Sequence, residues 1–115
     1  MIAESTFDFT AEGRLLTDVG GTIPIKVLST PGMIAMMERT SAMLALEHVP
    51  EGKATVGFEV CIKHVAGAVE GAQCTVHSVL REVVDGRKYR FDVEVREGDR
   101  TLGVGSHERR LVDRA

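Results

Sequence analysis

The stretch Ser29-Thr30-Pro31-Gly32-Met33-Ile34-Ala35-Met36-Met37-Glu38-Arg39-Thr40-Ser41-Ala42-Met43-Leu44-Ala45-Leu46 decides how this chain folds. A hydroxyl residue followed by proline is a helix-start signal. The hydroxyl can cap the first free N–H groups, and proline costs nothing at the first helical position, where its N–H would be unpaired anyway. Two apolar blocks, Met33–Met37 and Ala42–Leu46, carry the helix on, and Pro50-Glu51-Gly52 ends it. The helix is apolar nearly all round, unlike an amphipathic surface helix, so other structure must wrap it.

Working outward, everything after residue 53 reads as strands. In 54–66 one face carries Val56, Phe58, Val60, Ile62, His64 and Ala66, the face expected to touch the helix; Thr55, Gly57, Glu59, Cys61 and Lys63 occupy the other. Residues 72–84 form a second strand, and Asp85-Gly86 is a strong hairpin turn. In 87–97, Tyr89, Phe91, Val93 and Val95 alternate with charged residues; Gly98-Asp99 turns the chain into a last strand over 100–112. Before the helix the chain reads as extended, with Phe7 and Phe9 on one side, and an edge strand is expected over 22–28 because Pro24 does not suit a central one. One apolar helix and a series of long strands with tight turns predict a single α+β domain over 1–115, an antiparallel sheet wrapped around one long central helix. A sheet of this size leaves an edge unprotected, so a homodimer that extends the sheet is expected, a tetramer being left open.

Composition narrows the function classes. The 115 residues carry 14 Lys plus Arg against 17 Asp plus Glu, a net charge of −3, which argues against a nucleic-acid binder that works by neutralising phosphates. The start Met1-Ile2-Ala3-Glu4-Ser5 shows no basic cluster before an apolar stretch, and no apolar run is long enough to span a membrane. The expected location is the cytoplasm, with Cys61 and Cys74 as reduced thiols. No metal-ligand spacing links His48, His77 and His107, no Gly-x-Ser-x-Gly elbow occurs, and Gly103-Val104-Gly105 lies too late for a dinucleotide loop.

Three residues stand out chemically. Glu38 follows five apolar residues, and its helical neighbours Ile34, Ala35, Ser41 and Ala42 include no basic partner. It is either a functional carboxylate or, with Arg39, the helix's one solvated strip. His64 lies in register with the apolar face, so it is either a satisfied core histidine or half of a Glu–His pair with Glu38. Thr30 is either a helix cap or part of a site at the helix N-terminus, where unpaired N–H groups suit an oxyanion and Gly32 lets a substrate approach closely. Thr30 and Glu38 are separated by about 12 Å of straight helix. Either a substrate spans that gap, or the site joins one chain's helix N-terminus to another chain's carboxylate, the arrangement favoured here. Of Lys63, Arg109, Arg110 and Arg114, most fit a solvated strand face; Arg109 is assigned to substrate binding.

The sequence resembles the hot-dog-fold thioesterases, and within them the fluoroacetyl-CoA thioesterase-like branch. The residues that carry this are Val27-Leu28-Ser29-Thr30-Pro31-Gly32-Met33 leading to Met36-Met37-Glu38, then Pro50-Glu51-Gly52, Gly57 to His64, and Gly105-Ser106-His107-Glu108-Arg109. The resemblance implies a catalytic set of Thr30, Glu38 and His64, with Gly57 lining the acyl pocket, and hydrolysis of acyl-CoA thioesters by a dimer. It implies no organic cofactor or metal, coenzyme A being part of the substrate. Glu38 would attack the thioester directly, or Glu38 or His64 would activate water, with backbone N–H groups holding the oxyanion and Thr30 orienting the water or the carboxylate. Members selective for fluoroacetyl groups are associated with aromatic lid residues upstream of the helix; Thr17 to Lys26 contains none, so short or compact acyl groups in general are expected. The alternative is a hot-dog protein that binds acyl-CoA or a small ligand without turning it over.

Overall fold

The computed structural model describes residues 3–114; Met1 and Ile2, part of the N-terminal stretch read above, and Ala115 lie outside it. Strand β1 (Ala3–Thr10) leads through a 3-10 turn (Gly13–Leu15) to two short strands, β2 (Leu16–Thr17) and β3 (Val27–Leu28). Helix α1 (Thr30–Leu46) follows, then four long strands, β4 (Lys53–His64), β5 (Gln73–Val84), β6 (Lys88–Glu97) and β7 (Arg100–Asp113). The long strands and β1 form one antiparallel sheet in the order β1-β5-β6-β7-β4. The strand β4 therefore lies at one edge.

The helix starts where the hydroxyl–proline signal places it. Ser29 is the N-cap, its Oγ accepting from the Gly32 N–H at 2.9 Å. It stops at Leu46, earlier than Pro50, because the residue before a proline is driven out of helical geometry and Val49 holds that position. Met33, Met37, Leu44 and Ala45 are fully buried against the sheet. Removing a Met or Leu side chain from water contributes about 1.5–3 kcal/mol. Thr40 and Ser41 lie on the same buried side; Ser41 Oγ meets Ser78 Oγ of β5 at 2.7 Å, which satisfies both hydroxyls. The opposite side, with Ala35, Arg39, Met43 and Leu46, is exposed, so within one chain the sheet curls over one side of the helix only.

The alternation of β5 and β6 follows the sequence: Cys74, Val76, Ser78 and Leu80, and Tyr89, Phe91, Val93 and Val95, all point into the core. Two expectations change. Residues 18–26 are turns and bends rather than a strand over 22–28; only Val27 and Leu28 pair, with Thr17 and Leu16. Pro24 and the positive-φ pair Gly20 and Gly21 explain this, since neither geometry continues a ladder. On β4 a bulge between Gly57 and Glu59 inserts one residue and reverses which side chains face inward. Beyond the bulge Ile62 and His64 point to the helix side as expected. Before it Thr55 and Gly57 do, while Val56 and Phe58 face outward and are exposed, Phe58 lying under the Arg110 guanidinium at 3.5 Å.

Candidate active site

The first cluster sits at the N-terminus of α1. With Ser29 serving as the cap, the Thr30 hydroxyl is left free and lies 2.8 Å from His64 Nδ1 at the end of β4. The cap is therefore Ser29 and not Thr30. His64 also departs from a satisfied core histidine: its Nε2 is buried and has no partner among the described residues. Leaving such a nitrogen unpaired costs about 1–3 kcal/mol, which a purely structural residue does not ordinarily carry. Both side chains line a cleft of about 400 Å³ with Thr17, Val19, Leu28 and Val65.

Gly32 does not play the part assigned to it. A Cβ there would stand 2.7 Å from the Leu15 carbonyl oxygen and 2.8 Å from Ser29 Oγ. The bare backbone makes room for this chain's own turn, not for a substrate. Its N–H is also spent on the cap, Pro31 has none, and the Met33 N–H donates to the Ser29 carbonyl at 2.9 Å. Of the helix's first N–H groups, only that of Thr30 is not taken up among the described residues.

The second cluster lies two turns along α1. Glu38 does not meet His64; the groups gathered around it come from β7. A Cβ built on Gly57 would stand 2.8 Å from Glu38 Oε2, 3.6 Å from Arg109 Nη1 and 3.8 Å from His107 Cε1, so all three converge over that glycine. Glu38 Oε2 and Arg109 Nη1 are 3.9 Å apart, a charge pair just beyond hydrogen-bond reach. The carboxylate keeps 42% of its side-chain surface open, whereas Arg109 and His107 are 7% and 3% exposed. Glu38, Gly57 and His107, with Phe58, Glu59 and Val60, line a cleft of about 300 Å³; Arg109 lies behind them, outside its lining.

Arg109 is held tightly. Its Nε donates to Thr55 Oγ1 at 2.8 Å, Nη2 to the Thr55 carbonyl at 2.9 Å and Nη1 to His107 Nε2 at 3.3 Å. Burial lowers the His107 pKa from its ordinary value, and the neighbouring Arg109 charge acts in the same direction. Burial also lowers Arg109, against the opposing pull of Glu38. The sequence marked Arg109 but passed over His107. The available signal was their spacing of two on one strand, which puts both on the face that meets the helix.

Comparison with known proteins identifies the family and the fold. The profile of the FlK family, described as fluoroacetyl-CoA-specific thioesterase, matches residues 11–115. A fluoroacetyl-CoA thioesterase of Streptantibioticus cattleyicolor is 29% identical over 87 residues, 76% of this chain and 62% of that protein's length. A solved structure of the fluoroacetyl-CoA thioesterase FlK is 25% identical, with a TM-score of 0.85 over 96% of this chain and 85% of that one. A thioesterase-superfamily protein of Thermus thermophilus shares the fold at 24% identity and a TM-score of 0.83, over 96% of this chain and 81% of its own. The hot-dog architecture and a profile match across nearly the whole chain lead to one conclusion: this protein belongs to the FlK family of fluoroacetyl-CoA-specific thioesterases.

Proposed function

We propose that the protein hydrolyses acyl-CoA thioesters carrying short or compact acyl groups, without metal or organic cofactor. The observation that carries this is the 2.8 Å contact between the Thr30 hydroxyl and His64 Nδ1. A lone threonine hydroxyl is too weakly acidic to attack a thioester, but here a base stands next to it. His64 takes the hydroxyl proton as Oγ1 bonds to the thioester carbon. The same imidazolium then protonates the departing CoA thiolate. Water, deprotonated in turn by His64, opens the acyl-threonine, and the imidazolium returns that proton to the departing Thr30 Oγ1 as the free acid is released. The Thr30 N–H and the positive end of α1 face the developing oxyanion.

Glu38 enters this scheme from a second copy of the chain. Within one chain it occupies a separate cleft from Thr30 and His64. Both clefts border the edge strand β4, Gly57 at one and His64 at the other. Pairing β4 antiparallel with its own copy, around a two-fold between Val60 and Cys61, sets Gly57 of one chain opposite His64 of the other. The unpaired edge and the exposed Val56, Phe58 and Val60 favour such a homodimer. Glu38 and Arg109 of one protomer then bound the acyl end of the site whose hydroxyl and imidazole the other supplies. A FlK variant solved in complex with fluoroacetate and CoA, 24% identical to this chain, shares the fold this reading needs.

The test is release of free thiol from a panel of acyl-CoA esters, short, long and aryl. Turnover with a preference for short acyl groups supports the reading. Binding of every ester without thiol release would make the protein a ligand-binding member of the family instead.

A further inference from the structure

The Thr55–Glu59 segment of β4 is bulged, yet it carries Gly57, the glycine over which Glu38, Arg109 and His107 meet. Two residues of β7 grip this segment from either side. Arg109 holds Thr55 through its hydroxyl and carbonyl, and His107 Nδ1 lies 2.8 Å from the Glu59 carbonyl. A carbonyl only accepts, so Nδ1 carries the hydrogen. A guanidinium only donates, so Nε2, 3.3 Å from Arg109 Nη1, must be a bare lone pair. The two contacts together specify one neutral tautomer. They also occupy both ring nitrogens, which removes His107 from any role as a proton carrier. The ring is 3% exposed and stacks on Phe91 of β6, with centroids 6.0 Å apart and planes 28° apart, which fixes its plane.

We infer that His107 is a positioning residue: by accepting one N–H of Arg109 while donating to the Glu59 carbonyl, it sets the guanidinium in the orientation that faces Glu38 across Gly57. The guanidinium has three N–H groups committed to Thr55 and His107, and the Nη1 edge that remains lies toward the Glu38 carboxylate. Thr55 of β4 anchors the Nε and Nη2 edge, and among the described residues the imidazole is the hydrogen-bond acceptor for Nη1, the nitrogen that faces Glu38. The inference rests on the Glu38 cleft being the acyl end of the active site.

Two substitutions separate the two ring contacts. The amide of His107→Gln reaches the Nε2 position and offers Arg109 an acceptor. That of His107→Asn reaches only the Nδ1 position and keeps the Glu59 contact alone. With acyl-CoA hydrolysis followed by thiol release, His107→Asn is expected to lose kcat at nearly unchanged KM. His107→Gln is expected to retain about tenfold more kcat than His107→Asn, the scale of loss that a misplaced group produces. Nitrogen-15 NMR of the parent should show the Nδ1–H tautomer of His107. Equal activities in the two variants, losses that merely track lowered melting temperatures, or an Nε2–H tautomer would overturn the inference. Glu38→Gln is measured beside them: full activity there would instead sink the assignment of the cleft, whatever the His107 variants show.

Discussion

Glu38 Oε2 and Arg109 Nη1 face each other 3.9 Å apart, with only the bare backbone of Gly57 beneath them. The carboxylate projects from the helix and the guanidinium from the sheet, so their relative position reports how α1 sits on β4 and β7. Adding one methyl group at Gly57 would put a carbon 2.8 Å from Glu38 Oε2 but leave an ordinary 3.6 Å to Arg109. Gly57→Ala should therefore displace the flexible carboxylate and spare the fold. Steady-state kinetics is expected to show kcat/KM lowered by about tenfold or more, with little change in melting temperature.

The Thr30–His64 contact predicts a graded series. Thr30→Ala and His64→Ala each remove a reacting group and should lower kcat by about 10²–10⁴-fold, the usual worth of a positioned base and nucleophile. Thr30→Ser retains the hydroxyl and should retain measurable turnover. Rapid-quench mass spectrometry should find an acyl group on residue 30 in the early milliseconds of turnover.

Acid should destabilise the protein through His107. Its folded-state pKa is lowered, chiefly by burial, below the unfolded value of about 6.5. The unfolded chain therefore binds a proton that the folded one refuses, and stability falls as pH drops from near 7 toward the folded pKa. The groups facing the ring are Arg109 on its own strand, Glu38 on α1, the Glu59 carbonyl on β4 and Phe91 on β6. Urea unfolding at a series of pH values should show this slope in the parent and a shallower one in His107→Gln.

Val19 holds φ 53°, a left-handed geometry that β-branched residues avoid, while its own N–H donates to Thr17 Oγ1 and its carbonyl accepts from Thr22. Asparagine tolerates that geometry, and Val19 is half exposed, so little burial is lost. Val19→Asn should raise stability by about 1 kcal/mol, visible as a melting temperature higher by roughly 3–6 °C.

The helix and the long strands were legible because each carries its own local marker. The hydroxyl–proline start, the Tyr89–Val95 alternation and the turns at Asp85-Gly86 and Gly98-Asp99 all act within a few residues. The bulge on β4 has no such marker. Strict alternation put Val56 and Phe58 inside, and the extra residue at the bulge gave those places to Thr55 and Gly57. Thr30, Glu38 and His64 were readable as chemistry-bearing residues on or facing the helix, whereas Gly57 was placed on the opposite face and entered only through the family resemblance. Their partners were harder to read, since Glu38 meets Arg109 through contacts between segments seventy residues apart, and His107 sat in a His-Glu-Arg run that also suits a solvated strand. Gly32 misled because close approach by this chain's own Leu15 leaves the same signature as close approach by a ligand.

Whether one chain's Glu38 serves the other chain's Thr30 and His64 can be measured directly. Thr30→Ala and Glu38→Ala proteins, each inactive alone, are unfolded together, refolded and assayed for thiol release. Random pairing makes half of the dimers mixed, each with one intact site of two, so the account predicts about a quarter of the parent activity. A mixture no more active than its two components would contradict it.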